Sequence, residues 1–234
     1  GLGDVYKRQG YGVAVSVKHF YQIWHRDAVR EKRAIIQGWG NVGAAAGYFL
    51  AQMGVKIVGI IDISGGVIKE DGFSVTEIKE LFLNSKGKGL VHPDLISFDA
   101  ANEKIWSLQA EICIPAAGSR LIDENQLNQM VETGLELISS GANVPFNDPE
   151  IFYGQTLSKA DKQVSVIPDF IANCGMARVF AYLMQSNVVI TDKAIFNDVS
   201  EIIREALTKV HDKNNNLTGI TSEALQLAIQ QLLK

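Results

Sequence analysis

One hexapeptide constrains this chain more than any other feature: Gly38-Trp39-Gly40-Asn41-Val42-Gly43, a complete G-x-G-x-x-G. It follows the short apolar run Ala34-Ile35-Ile36-Gln37 and opens a stripe at helical spacing, Val42, Ala45, Ala46, Phe49, Leu50 and Met53. That order demands a strand, a glycine turn and a helix. Gly38 permits the tight turn, Gly40 lets a pyrophosphate approach the backbone, and Gly43 lets the helix pack close on the strand. The helix N-terminus offers free N–H groups and the positive end of the dipole to phosphate. Such a loop needs an acidic partner about 20 residues on, and Asp62 stands there, with Ile63 beside it. Its carboxylate would accept the ribose hydroxyls and repel a 2′-phosphate, which favours NAD without excluding NADP. Asp62 equally suits a second role, that of a turn former ahead of Ser64-Gly65-Gly66. Trp39 reads as a packing residue rather than a stacking platform.

The rest of the chain fits the same architecture. Val13, Val17, Phe20, Tyr21 and Trp24 predict an amphipathic helix from about Gly12 to Val29. Gly54 is placed to end the helix after the glycine loop, and Lys56–Asp62 is a buried strand. Ser74-Val75-Thr76-Glu77 is a capping box opening a helix through Leu83, followed by a flexible loop at Lys86-Gly87-Lys88-Gly89. Ile112–Ile114 is a strand stopped by Pro115. Asp123 to Val131 is a capped helix, Leu135–Ser139 and Val164–Ile167 are short strands, and Asn147-Asp148-Pro149 reads as a helix start. Three helices close the chain: one from Cys174 to Gln185, one after Thr191 and one after Thr221. Short apolar strands alternating with helices imply an α/β fold, a doubly wound parallel sheet of the dinucleotide-binding (Rossmann) type with additional C-terminal helices.

Several segments together resemble the glutamate/leucine/phenylalanine/valine dehydrogenases. Gln37–Gly43 is similar to that family's Q-G-F-G-N-V-G, and Gly10-Tyr11-Gly12-Val13 to its T-G-x-G-V, with Gln9 where the family has threonine. Ile114–Ala117 resembles its I-P-A-A turn. Gly141-Ala142-Asn143 with Pro145 resembles its E-G-A-N-x-P, and Pro168–Gly175 its P-D-x-x-A-N-A-G. The resemblance implies that Ala116 and Ala117 line the nicotinamide side of a bound cofactor, that Asn143 bonds near the nicotinamide ribose, and that Asn173 lies where nicotinamide meets substrate. Read alone, Pro-Ala-Ala is a strand terminator and both asparagines are turn residues. The implied reaction is oxidative deamination of an L-amino acid to a 2-oxo acid, with hydride passed to NAD. The family's active lysine and aspartate belong to an N-terminal substrate domain, and no residue here matches them. Residues 1–9 resemble nothing in the pattern and, after Gly1 in place of Met, read as a possible non-native leader; 10–234 form the dinucleotide-binding domain. Glutamate enzymes carry a serine where this chain has Phe180, after Met176 and Ala177, so the amino acid stays unassigned. The full-length form is expected to be a homo-oligomer.

Composition narrows the alternatives. The 234 residues carry 22 basic and 26 acidic side chains, so no basic excess points to nucleic acid or an anionic membrane. Ala34–Val55 has no charged side chain, yet its polar residues and glycines suit a buried turn and helix better than a membrane span. Cys113 and Cys174 make no disulfide framework, and a cytoplasmic setting is expected. The four histidines lack metal-ligand spacing. A nucleotide-sensing domain without catalysis is the rival reading, and a methyltransferase a third.

Overall fold

The computed structural model describes residues 2–85, 89–150, 153–185 and 188–233. Helix α1 (Leu2–Phe20) passes into one π-helical turn, Tyr21–His25, which ends where Arg26 enters the left-handed region at φ +53°. The apolar stripe is helical as expected. The helix nevertheless starts at Leu2 rather than near Gly12, and it stops short of Val29 because Arg26 reverses the backbone. Then come strand β1 (Arg33–Gln37), helix α2 (Asn41–Gln52) and strand β2 (Lys56–Asp62), with Gly54 at φ +87° ending the helix.

Strand β3 (Gly65–Phe73) went unread in the sequence. Asp62 pairs with Gly65, so β2 and β3 form a tight antiparallel hairpin. The chain continues through α3 (Val75–Ser85), α4 (Phe98–Asn102), a 3-10 turn (Ile105–Ser107), β4 (Ile112–Pro115), α5 (Glu124–Glu132) and β5 (Leu137–Ser139). It closes through α6 (Gln155–Gln163), β6 (Ser165–Ile167), α7 (Asp169–Ala172), α8 (Gly175–Leu183), α9 (Asp192–Lys213) and α10 (Ile220–Leu232). Both expected capping boxes form, at Ser74/Glu77 and at Asp123/Gln126. Lys86, Gly87 and Lys88 lie outside the described residues.

Asn147-Asp148-Pro149 does not start a helix. Asp148 instead reaches forward, accepting from the N–H groups of Thr156 (2.8 Å) and Leu157 (3.0 Å) at the start of α6. The carboxylate caps a helix farther along, not one beginning at Pro149.

The six strands stand in the order β3-β2-β1-β4-β5-β6, parallel except for β3. This is the doubly wound order, with one reversed strand at the edge. Successive strand residues face two different cores. Ala34, Ile36, Ile112, Ile114, Leu137 and Ile167 join the core under α1, α2 and α9. Ile35, Cys113, Ile138 and Val166 join the one under α5 and α6. Burial on both faces is why these strands read as unbroken apolar runs rather than as alternation. Helix α1 crosses α2 closely enough that a Cβ on Gly10 would stand 2.5 Å from Ala45 Cβ. Among the described residues, no helix is long and apolar enough to cross a membrane.

Candidate functional site

The glycine loop sits between the C-terminal end of β1 and the start of α2. Gly38 has φ +93°, a conformation that side chains disfavour, and its N–H donates to the Ile61 carbonyl at 2.6 Å. A Cβ there would also lie 2.6 Å from Ala117. At Gly43 a Cβ would fall 1.9 Å from the Gly38 carbonyl oxygen, so the helix rests directly on the turn. Gly40 differs from both: a Cβ there would meet nothing within 4 Å. Gly40 is the N-cap of α2, no side chain among the described residues caps that helix, and its first turn has no acid. The first-turn N–H groups have no intrahelical acceptor, and the space beside Gly40 is open. Asn41 is exposed and Val42 half-buried against the core.

Trp39 turns the other way. Its indole is fully buried, packs on Gly47 and donates to the Leu81 carbonyl at 3.3 Å. Only its backbone belongs to the loop; the side chain is core, as the packing reading expected.

Beyond the loop opens a cleft of about 730 Å³, bordered by Gly38, Gly40, Asp62, Ile63, Ala116 and Ala117. Asp62 ends β2 and is buried. One oxygen accepts from the Ser64 N–H (2.7 Å), the other from the Leu90 N–H (2.5 Å). Asp62 therefore shapes the turn, and it also lines the cleft. Ile63 is 94% exposed, an apolar side chain standing free in the mouth. Sequence reasoning missed the opposite wall of Phe98, Trp106 and Leu121, of which Phe98 and Leu121 are exposed. Its one signal was Ser97, whose hydroxyl caps α4.

Toward the nicotinamide end expected from the resemblance, backbone bonds tie three loops together. The Ala116 N–H donates to Gln37, and the N–H groups of Gly141 and Ala142 both donate to the Pro115 carbonyl. Asn143 and Asn173, thirty residues apart, come within 3.4 Å, Nδ2 of Asn173 to Oδ1 of Asn143. The Oδ1 of Asn173 is buried with no partner among the described residues. Unpaired buried acceptors are costly and call for an explanation.

The remaining candidates are structural. Burial pushes the Cys174 thiol up to about 11 and that of Cys113 up to about 12, so neither is a thiolate near neutrality. His19 bonds Gln22 and Ser200 in the α1–α9 contact, and burial lowers its pKa. No cluster of metal-ligating side chains occurs among the described residues. Phe180 stands on α8, 58% exposed.

The family model described as Glutamate/Leucine/Phenylalanine/Valine dehydrogenase matches residues 1–234. An NADP-specific glutamate dehydrogenase of Saccharolobus shibatae is 31% identical over 242 residues, covering 100% of this chain and 54% of that protein. Among solved structures, a glutamate dehydrogenase superposes with a TM-score of 0.78 at 18% identity, covering 97% of this chain and 52% of that one. An L-tryptophan dehydrogenase from Nostoc punctiforme gives 0.65 at 19% identity, covering 97% and 60%. The chain spans about half the length of the proteins it matches.

Proposed function

Because this chain belongs to the glutamate/leucine/phenylalanine/valine dehydrogenase family, we propose that it is the cofactor-binding half of an amino-acid dehydrogenase. The reaction would be oxidative deamination of an L-amino acid to a 2-oxo acid. The observation that carries the reading is Gly40, open on its Cβ side at the uncapped N-terminus of α2 and facing a cleft of about 730 Å³. A cleft of that size suits an elongated dinucleotide. A nicotinamide dinucleotide bound there would supply the hydride acceptor.

The chain's own residues then bind and orient. First-turn N–H groups of α2 take the pyrophosphate, with Gly40 leaving it room. Ile63, Phe98 and Leu121 give the adenine apolar walls. The carboxylate of Asp62 keeps acceptor capacity beyond its two backbone bonds and takes the ribose hydroxyls. Its charge disfavours a 2′-phosphate, so the preferred cofactor is NAD, unlike the relative named NADP-specific. Ala116 and Ala117 border the nicotinamide through backbone, and the unpaired Oδ1 of Asn173 accepts a donor from the ligand.

Phe180 supports a substrate other than glutamate, since an exposed phenyl ring offers no hydrogen bond to a side-chain carboxylate. No residue here corresponds to the family's proton-moving lysine and aspartate. We therefore expect these 234 residues to bind NADH without turning over.

Titration of the chain with NADH, NADPH, AMP and S-adenosylmethionine, followed by tryptophan quenching and NADH emission, tests the reading. Saturable NADH binding tighter than AMP, and weakened about tenfold by Asp62→Ala, is expected for loss of one charge-assisted bond. Equal affinity for AMP and NADH would overturn it in favour of a nucleotide sensor.

A further inference from the structure

We propose that Gly89 and Leu90 set the choice of cofactor by positioning the carboxylate of Asp62, a proposal that rests on the cofactor reading above. The torsion that turns an Asp carboxylate is broad, so its oxygens face wherever their partners hold them. At Asp62 the partners come from two segments. The Ser64 N–H, in the turn between β2 and β3, holds Oδ1 at 2.7 Å. The Leu90 N–H, 28 residues on, holds Oδ2 at 2.5 Å. Leu90 is itself anchored, with its side chain 2% exposed in the core shared with α1 and α2. The amide is thus fixed by its own side chain, and the carboxylate is set by the amide.

Gly89 keeps the held oxygen open. It lines the cleft with Asp62, and its φ of +90° is one that side chains disfavour. A Cβ there would lie 3.0 Å from Asp62 Oδ2 and 3.1 Å from Ser64 Oγ. A hydroxyl that donates to an oxygen stands about 2.5–3.0 Å from it. A methyl on Gly89 would therefore occupy the shell in which such a donor to Oδ2 sits, or push the carboxylate off the Leu90 amide.

The arrangement suits a ribose diol. A carboxylate has about four acceptor sites. The backbone takes one on each oxygen of Asp62, which leaves acceptor capacity on each for a ribose hydroxyl. A 2′-phosphate brings only acceptors and negative charge to that place, so it gains no bond from the carboxylate and meets repulsion. Discrimination between NADH and NADPH then depends on where the carboxylate stands as well as on its charge. Displacing Oδ2 costs NADH a hydroxyl bond that NADPH does not make.

The test titrates NADH and NADPH into the unaltered chain, Gly89→Ala, Asp62→Ala and the double variant. Gly89→Ala should weaken NADH about tenfold, the worth of one bond to a charged group, and leave NADPH within about twofold. The preference for NADH thus narrows about tenfold. In the Asp62→Ala background the same glycine change should cost NADH less than about twofold, because the group it acts through is gone. Equal losses of NADH in both backgrounds, an equal loss of both cofactors, or parental NADH affinity in Gly89→Ala would overturn the positioning role alone. No NADH binding by the unaltered chain, or binding indifferent to Asp62→Ala, would overturn the cofactor reading itself. Should Gly89→Ala not fold, Asp62→Glu carries the test. It keeps the charge but moves the carboxylate out by one methylene, so NADH should weaken about tenfold and the Leu90 amide should exchange its hydrogen faster. Parental NADH affinity, or a Leu90 amide exchanging at the parental rate, overturns the proposal.

Discussion

The same methyl group, added three residues apart in the glycine loop, should give opposite phenotypes. In Gly43→Ala the new Cβ would sit 1.9 Å from the Gly38 carbonyl oxygen. That is about 1.5 Å short of ordinary contact, and both partners are backbone, so α2 must lift off β1. Overpacking of this kind costs about 3 kcal/mol, at the upper end of its range, which in a chain this long lowers Tm by about 6–12 °C. In Gly40→Ala the new Cβ meets nothing within 4 Å, and φ is an ordinary −78°. Restricting the unfolded chain stabilises by about 0.4–1 kcal/mol, and alanine's poor N-cap preference offsets a similar amount. Tm should then stay within about 4 °C of the parent. The methyl does, however, fill the space proposed for a pyrophosphate. Losing one charge-assisted N–H bond costs about 1.5–3 kcal/mol, so NADH affinity should fall about 10- to 100-fold. Thermal melts and NADH titrations on both variants decide the matter. Undiminished NADH binding by Gly40→Ala, or parental melting of Gly43→Ala, would refute the division of labour argued for the two glycines.

Two further predictions concern stability. Asp161, fully buried, accepts from the N–H groups of Thr221 and Ser222 at the start of α10 and from the Tyr153 hydroxyl; Asp161→Ala should cost about 3 kcal/mol, read as a Tm drop of about 6–12 °C. Glu77 is held down to about 2 by Lys69 and by the Ser74 backbone and hydroxyl, so its contribution is present above the ordinary 4.5 and lost as pH falls toward about 2. Because the pair is well exposed, that contribution is at most about 1 kcal/mol. Urea midpoints from pH 5 to 2 should fall less steeply for Glu77→Gln, and an identical slope would exclude the effect.

Elements with strong local signals were legible in the sequence: the strand–loop–helix of Ala34–Met53, both capping boxes, and Thr191 capping α9. Elements that depend on distant partners were not. The edge strand β3 buries its first residues and exposes Glu70 and Asp71, so it shows neither a full apolar run nor clean alternation. Helix α10 takes its cap from Asp161, sixty residues earlier, and no local pattern records that. The same holds for the candidate site residues. The glycines and Asp62 lie in one contiguous unit, whereas the approach of Asn143 to Asn173 exists only because β5 and β6 are adjacent.

The reversed strand also explains why half of the cleft was unread. Had β3 run parallel, a crossover would separate it from β2. Instead the hairpin returns at once, and Gly66 exchanges backbone bonds with Ile96 at 3.0 and 2.9 Å. A Cβ on Gly66 would stand 2.4 Å from Ala101 Cβ, so α4 lies flush on β3. That contact brings α4, and with it Phe98 and Asn102, to the rim beside Asp62. Asn102 Oδ1 then accepts from Trp106 Nε1 (2.8 Å) and from Gln126 Nε2 (3.2 Å), joining α4, the 3-10 turn and α5 into one wall. The acid, the glycine turn and this wall converge because β1 lies between β2 and β4. Connections leave the sheet in opposite directions on either side of that point, and the crevice opens where they part. On the proposed cofactor reading, an apolar wall facing an acid-tipped strand suits a nucleoside, with a flat base on one side and ribose hydroxyls on the other. In this chain the hairpin supplies the wall and the parallel strands supply the acid.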